Sequence, residues 1–79
     1  MWEVIGFELQ ENDAGEVISV TMFAIKPYKE GQGQGKRARR VWYRANEIPY
    51  MPSLGERVMI ETETRGKYEI VTDIIPADA

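Results

Sequence analysis

The sequence predicts an all-β domain of five short strands bent into a small barrel. Three observations carry the prediction. Apolar residues recur with a period of two in separate stretches, the pattern of strands with one face turned inward. Turn-forming residues punctuate those stretches at Asn12-Asp13-Ala14-Gly15, at Gly31 to Gly35 and at Arg65-Gly66. No convincing helical segment lies between them.

Taken in order, Trp2 to Gln10 alternates, with Ile5, Phe7 and Leu9 on one face and Glu8 and Gln10 opposite. The Asn-Asp-Ala-Gly run reverses the chain into Val17 to Ile25, where Ile18, Val20, Met22 and Ala24 share one face and Val17, Phe23 and Ile25 the other. Apolar on both sides, this strand is expected to be central and the most buried. Pro27 ends its pairing, and residues 29–38 are expected to form a flexible basic Gly/Gln loop around GQGQG. Arg39 to Arg44 is the third strand, with Val41 and Tyr43 inward and Arg40, Trp42 and Arg44 outward.

Pro49 and Pro52 prevent a long helix in the connection Ala45 to Glu56, where Asn46-Glu47-Ile48 can make one helical turn at most. Ser53-Leu54-Gly55-Glu56 launches the fourth strand, Arg57 to Thr62, with Val58 and Ile60 inward. After the turn, Lys67 to Ile75 returns with Tyr68, Ile70 and Thr72 or Ile74 on one face, and Pro76 to Ala79 is expected to fray. Five such strands favour an OB-like barrel, with an SH3-like barrel as the alternative, because local pattern does not fix strand order. Either would take sheet edges out of solvent.

Seventy-nine residues make a single small domain, 1–79, near the size at which one core suffices, so a homodimer is expected to add support. The chain has no cysteine and no histidine. That excludes disulfides, thiolate metal sites and a Ser/His/Asp device, and a non-catalytic protein without cofactor or metal is the expectation. MWEVIGFELQ lacks the features of a signal peptide, and no apolar run approaches the ~18 residues of a membrane span. A cytoplasmic protein without membrane contact is expected.

The functional signal is charge segregation. Residues 26–44 hold seven of the ten basic residues and one acid, a net of +6, while three bases and twelve acids leave the rest of the chain at −9. Several cations along a track neutralise phosphates, and flat side chains among them stack bases. The candidate site is Lys26, Lys36, Arg37, Arg39, Arg40 and Arg44 on phosphates, with Tyr28 and Trp42 on bases. The partner expected is a single-stranded nucleic acid. Two other readings use the same residues: a solvated hairpin with Trp42 packed under a loop, and an interaction module docking its basic loop on an acidic protein. GQGQG lacks the strand-to-helix context and the Lys-Ser/Thr ending of a phosphate-binding loop and is read as a linker or flap. Glu61, Glu63, Glu69 and Asp73 alternate with Arg65 and Lys67 nearby, as ordinary solubility requires, so they are read as a solvated face instead of a cation site.

Tyr50-Met51-Pro52-Ser53-Leu54, followed by a strand, the Arg65-Gly66 turn and Val71-Thr72-Asp73-Ile74-Ile75-Pro76, resembles the C-terminal part of the single-stranded-DNA-binding proteins of filamentous phages. Those are small dimeric five-stranded barrels of the OB type. The layout is also similar to that of small proteins of phages and conjugative elements. The resemblance implies DNA as the favoured ligand, dimerisation, and a basic aromatic hairpin on the DNA in which Tyr28, Arg37, Arg39, Arg40 and Trp42 would take part.

Overall fold

Five antiparallel strands form one sheet in the computed structural model, which describes residues 1–29 and 31–77: β1 (Trp2–Glu11), β2 (Val17–Pro27), β3 (Lys36–Arg44), β4 (Arg57–Arg65) and β5 (Tyr68–Pro76). The sheet order is β3-β2-β1-β4-β5, and the described residues contain no helix. The central strand is therefore β1, not β2. It pairs with β2 from Glu3 to Glu11, while its first residues pair with β4 through Trp2 opposite Val58 and Glu3 opposite Arg57. β2 nonetheless buries Val20, Met22 and Ala24 as fully as β1 buries Val4, because core residues of both neighbouring strands flank it.

No backbone ladder joins β3 to β5 among the described residues, so the expected barrel is a curled, open sheet. Side chains span the gap: Arg39 of β3 is ion-paired with Glu69 of β5. The core lies on the inner face, where Trp2, Val4, Val20, Met22, Val41, Tyr43, Ile48, Val58, Val71 and Ile74 pack together.

Two bulges set which residues reach that core. In β1, Val4 lies opposite Ala24, but after one extra residue Phe7 lies opposite Met22. Both partners are core residues, so the bulge moves the inward set from Trp2 and Val4 to Phe7. Ile5, expected inward, is the extra residue and is 50% exposed; Leu9, farther along, is also exposed. In β5 the register shifts between Asp73 and Val71, and Thr72 is left exposed while Val71 and Ile74 both turn inward. Ile18 is exposed as the extra residue of a third register shift, where Gln10 pairs with Ser19 and Glu11 with Val17, and Tyr68 is exposed at the start of β5.

The connections follow their local chemistry. The Asn12 side chain accepts N–H bonds from Ala14 (2.9 Å) and Glu16 (3.0 Å), fixing the first turn. Residues 45–47 make a single turn closed by Ile48 N–H to the Arg44 carbonyl (3.3 Å), and Ile48 and Pro52 are buried beyond it. Gly55, at φ +84°, lets its N–H reach the Val4 carbonyl at 2.8 Å. Glu56 holds this corner together: its carboxylate accepts from the Tyr50 hydroxyl and, at 2.9 Å, from the Ser53 N–H. Those two bonds keep the Glu56 carboxyl below its usual range, and the same carboxylate pushes the Tyr50 phenol up to about 12.

Several boundaries differ from expectation, and the first is Pro27, expected to end the pairing of β2 but itself paired with Lys36 at the strand's last position. β3 begins at Lys36, so Lys36, Arg37 and Ala38 of the expected 29–38 loop pair with Pro27, Lys26 and Ile25. β4 continues to Arg65, because its partner β5 runs beside it to Tyr68. Pro76 is paired with Val58, and the Ala77 N–H donates to the Arg57 carbonyl at 2.9 Å, so the sheet holds residues expected to fray. Glu30 of the expected loop, and Asp78 and Ala79 of the expected frayed end, lie outside the described residues.

Candidate nucleic-acid interface

Directly opposed residues of an antiparallel pair share a face. Ser19 opposite Arg44, Thr21 opposite Trp42, Phe23 opposite Arg40, and Pro27 opposite Lys36 therefore define an outer face, away from the core. Trp42 is 54% exposed there, and Arg40 and Arg44 are exposed on either side of it. Val41 and Tyr43 are buried between them on the other side of the strand, which turns the indole outward. Tyr43 is buried deeply enough that its phenol pKa is raised by desolvation.

One aromatic of this face escaped the sequence reading. Phe23 lies diagonally beside Trp42 across the β2–β3 ladder, with Gly6 as its partner on β1. Gly6 puts no side chain over the ring, and the space where its Cβ would stand is open. Phe23 is half-buried and is not among the residues packed on the core. A cleft of ≈ 460 Å³ borders Trp42 and Arg44, with Ser19, Gln10 and Asn46 among its walls. Arg44 also lies 3.9 Å from Glu47, an exposed pair of little energetic weight.

The remaining candidates do not join this face. Arg37 and Arg39 alternate with Arg40 and share the inner face of β3, and Lys26 lies opposite Arg37 on β2. All three converge on the Trp2 ring: the Lys26 ammonium at 4.6 Å from the centroid, the Arg37 guanidinium at 5.7 Å and that of Arg39 at 5.5 Å. Each cation over an indole face is worth about 0.5–2 kcal/mol, depending on desolvation. Trp2, 8% exposed, is thus a core plug with cations stacked on it. Arg39 is committed further by its ion pair with Glu69. No local pattern marks Trp2 as a hub, because its partners belong to strands distant in sequence. The opposite facing of Arg37 and Arg39 was legible, since carrying the alternation of RRVWYR back two residues puts them with Val41 and Tyr43.

Tyr28, just past β2, is exposed and lies against the glycine loop: a Cβ at Gly33 would stand 3.3 Å from its ring. A side chain at residue 33 would press on the ring, which would have to give by a few tenths of an ångström. Among the described residues no group of three potential metal ligands comes together. Of the acidic set, Glu69 is engaged with Arg39 and Glu63 with Arg65 at 3.3 Å. No helix of the described residues is long and apolar enough to cross a membrane.

Comparison with protein-family models, with curated proteins and with solved structures found no match to this chain.

Proposed function

We propose that the chain is a non-catalytic single-stranded nucleic-acid-binding protein, with DNA favoured, that stacks bases on Trp42 and holds phosphates with Arg40, Arg44 and Lys36. The observation that carries the reading is an exposed indole between two exposed guanidinium groups on a sheet face. Stacking on one aromatic is worth about 1–3 kcal/mol and accepts any base, and Phe23 offers a second, smaller surface beside the first. β1 at the centre, paired to both β2 and β4, with β3 and β5 at facing edges, supports an OB-like arrangement over an SH3-like one. The similarity of Tyr50 to Leu54 and Val71 to Pro76 to filamentous-phage proteins supports DNA, a homodimer and an origin in a phage or mobile element, in the cytoplasm. Lys26, Arg37 and Arg39 are assigned to supporting the fold around Trp2, and Tyr28 to a contact from the loop.

Titration with oligothymidylate while following tryptophan emission tests the proposal. Trp42 is expected to quench on binding. With three phosphate contacts at a slope of roughly −0.7 each for single strands, affinity should fall about 20-fold between ~50 and ~200 mM salt. Unchanged emission together with no retained oligonucleotide sinks it. Nuclease-insensitive capture of an acidic protein would then favour the interaction-module reading.

A further inference from the structure

A second basic cluster lies on the same outer face, at the end of the β2–β3 ladder away from Trp42. A cleft of ≈ 560 Å³ there is lined by Lys29, Lys36 and Arg57, with Glu3 and Ile25 in its wall. Arg57 belongs to β4 and lies outside the basic segment of the sequence. It reaches the cleft because Glu3 pairs with Ile25 on one side and with Arg57 on the other, which sets the three residues in a row across the sheet. Lys36 lies on the same face two residues further along the ladder, opposite Pro27, while Ala38 stands opposite Ile25. Lys26 also borders the cleft, but its ammonium is over Trp2. Among the described residues, Lys29, Lys36 and Arg57 have no carboxylate within ion-pair distance. Three cations therefore face one acid, Glu3, around a concave opening.

We infer that this cleft is a phosphate site for the strand that stacks on Trp42, with Arg57 and Lys36 as its anchors; the inference rests on the stacking role proposed above. Lys36 and Trp42 are six residues apart on β3, about 20 Å at ~3.3 Å per residue. A stacked strand covers that distance in about six nucleotides at ~3.4 Å each, and an extended one in fewer. The phosphate held in the cleft thus belongs to a nucleotide several positions from the stacked base. Arg57 adds a contact that only an oligonucleotide longer than about four to six residues can make. A free phosphate has the same charge chemistry but cannot depend on length in this way.

The test is affinity as a function of length, for oligothymidylates of two to twelve nucleotides, in the parent protein, Arg57→Gln and Lys36→Gln. Both side chains are exposed, so both variants are expected to melt with the unmodified protein. Arg57→Gln should bind the shortest oligonucleotides as the parent does, bind the longest several-fold more weakly, and show a salt slope less negative by about 0.7 with the long ones. Lys36→Gln, at a residue already assigned to a phosphate above, should likewise weaken the longest oligonucleotides and make their salt slope less negative by about 0.7. Equal weakening at every length, or no weakening at any, overturns the cleft as a phosphate site while leaving Trp42 stacking intact. Displacement by inorganic phosphate of short and long oligonucleotides alike also overturns it, since the cleft would then act as a free-ion site. Failure of the parent to bind any length is a separate result: it defeats the stacking reading and the cleft with it.

Discussion

The two tryptophans give the sharpest prediction, because the fold assigns them opposite work. Trp2 is 8% exposed beneath three cations, and Trp42 is 54% exposed on the outer face. Replacing a buried large aromatic by alanine costs about 3–5 kcal/mol from lost transfer energy and the cavity left behind. A chain of 79 residues has a total stability of roughly 4–12 kcal/mol. Trp2→Ala should therefore remove a large part of it, lowering the melting temperature by roughly 12–40 °C at about 4–8 °C per kcal/mol. Trp42 already has half its surface in water, so Trp42→Ala should cost only about 1 kcal/mol of stability. Its effect belongs on binding: loss of about 1–3 kcal/mol of stacking weakens oligonucleotide affinity roughly 5- to 150-fold. Thermal melts followed by circular dichroism and filter-binding titrations read the two effects separately. If Trp2→Ala melts within a few degrees of the parent, Trp2 is not a core plug. If Trp42→Ala falls as far as Trp2→Ala, the indole is a packing residue and the outer face is not a platform.

Two further predictions concern the scaffold. The Tyr50–Glu56 corner makes stability pH-dependent at both extremes. Glu56 has a lowered pKa in the folded state, so its contribution is full above about 4.5, the carboxyl's ordinary value, and is lost as pH falls through the folded value. Tyr50, raised to about 12, contributes fully below about 10 and loses that contribution as pH climbs toward 12. Urea midpoints measured across pH should show Glu56→Gln less stable than the parent near neutrality, with the gap narrowing in acid; a pH-independent gap would remove the carboxylate's role. Deleting Ile5 removes the extra residue of the β1 bulge and leaves Val4, Gly6 and Phe7 opposite Ala24, Phe23 and Met22 in unbroken alternation, with Val4 and Phe7 still on the core face. The deletion variant is expected to keep a cooperative melt by circular dichroism, and an unfolded chain at 25 °C would refute the reading of Ile5 as a residue outside the register.

Much of this was written in local pattern. Val41 and Tyr43 inward with Trp42 outward follows from period-two alternation, and the Asn12 turn and the proline-bearing connection follow from side-chain chemistry within a few residues. All-β class, strand count and the Arg40-Trp42-Arg44 face were thus determined by the sequence itself. Strand order was not, because the pairing of Trp2 with Val58 joins segments at opposite ends of the chain that carry no mutual signal. The bulges at Ile5 and Thr72 also escaped, since a pattern read with strict period two has no means of placing an extra residue. Charge clustering along the chain made one site of eight residues. Tertiary structure divided them, sending Lys26, Arg37 and Arg39 inward to Trp2 and bringing Arg57 from β4 to the outer face beside Lys36. Alternation decides the side of a strand on which a residue lies, but only the pairing of distant strands decides what stands next to it.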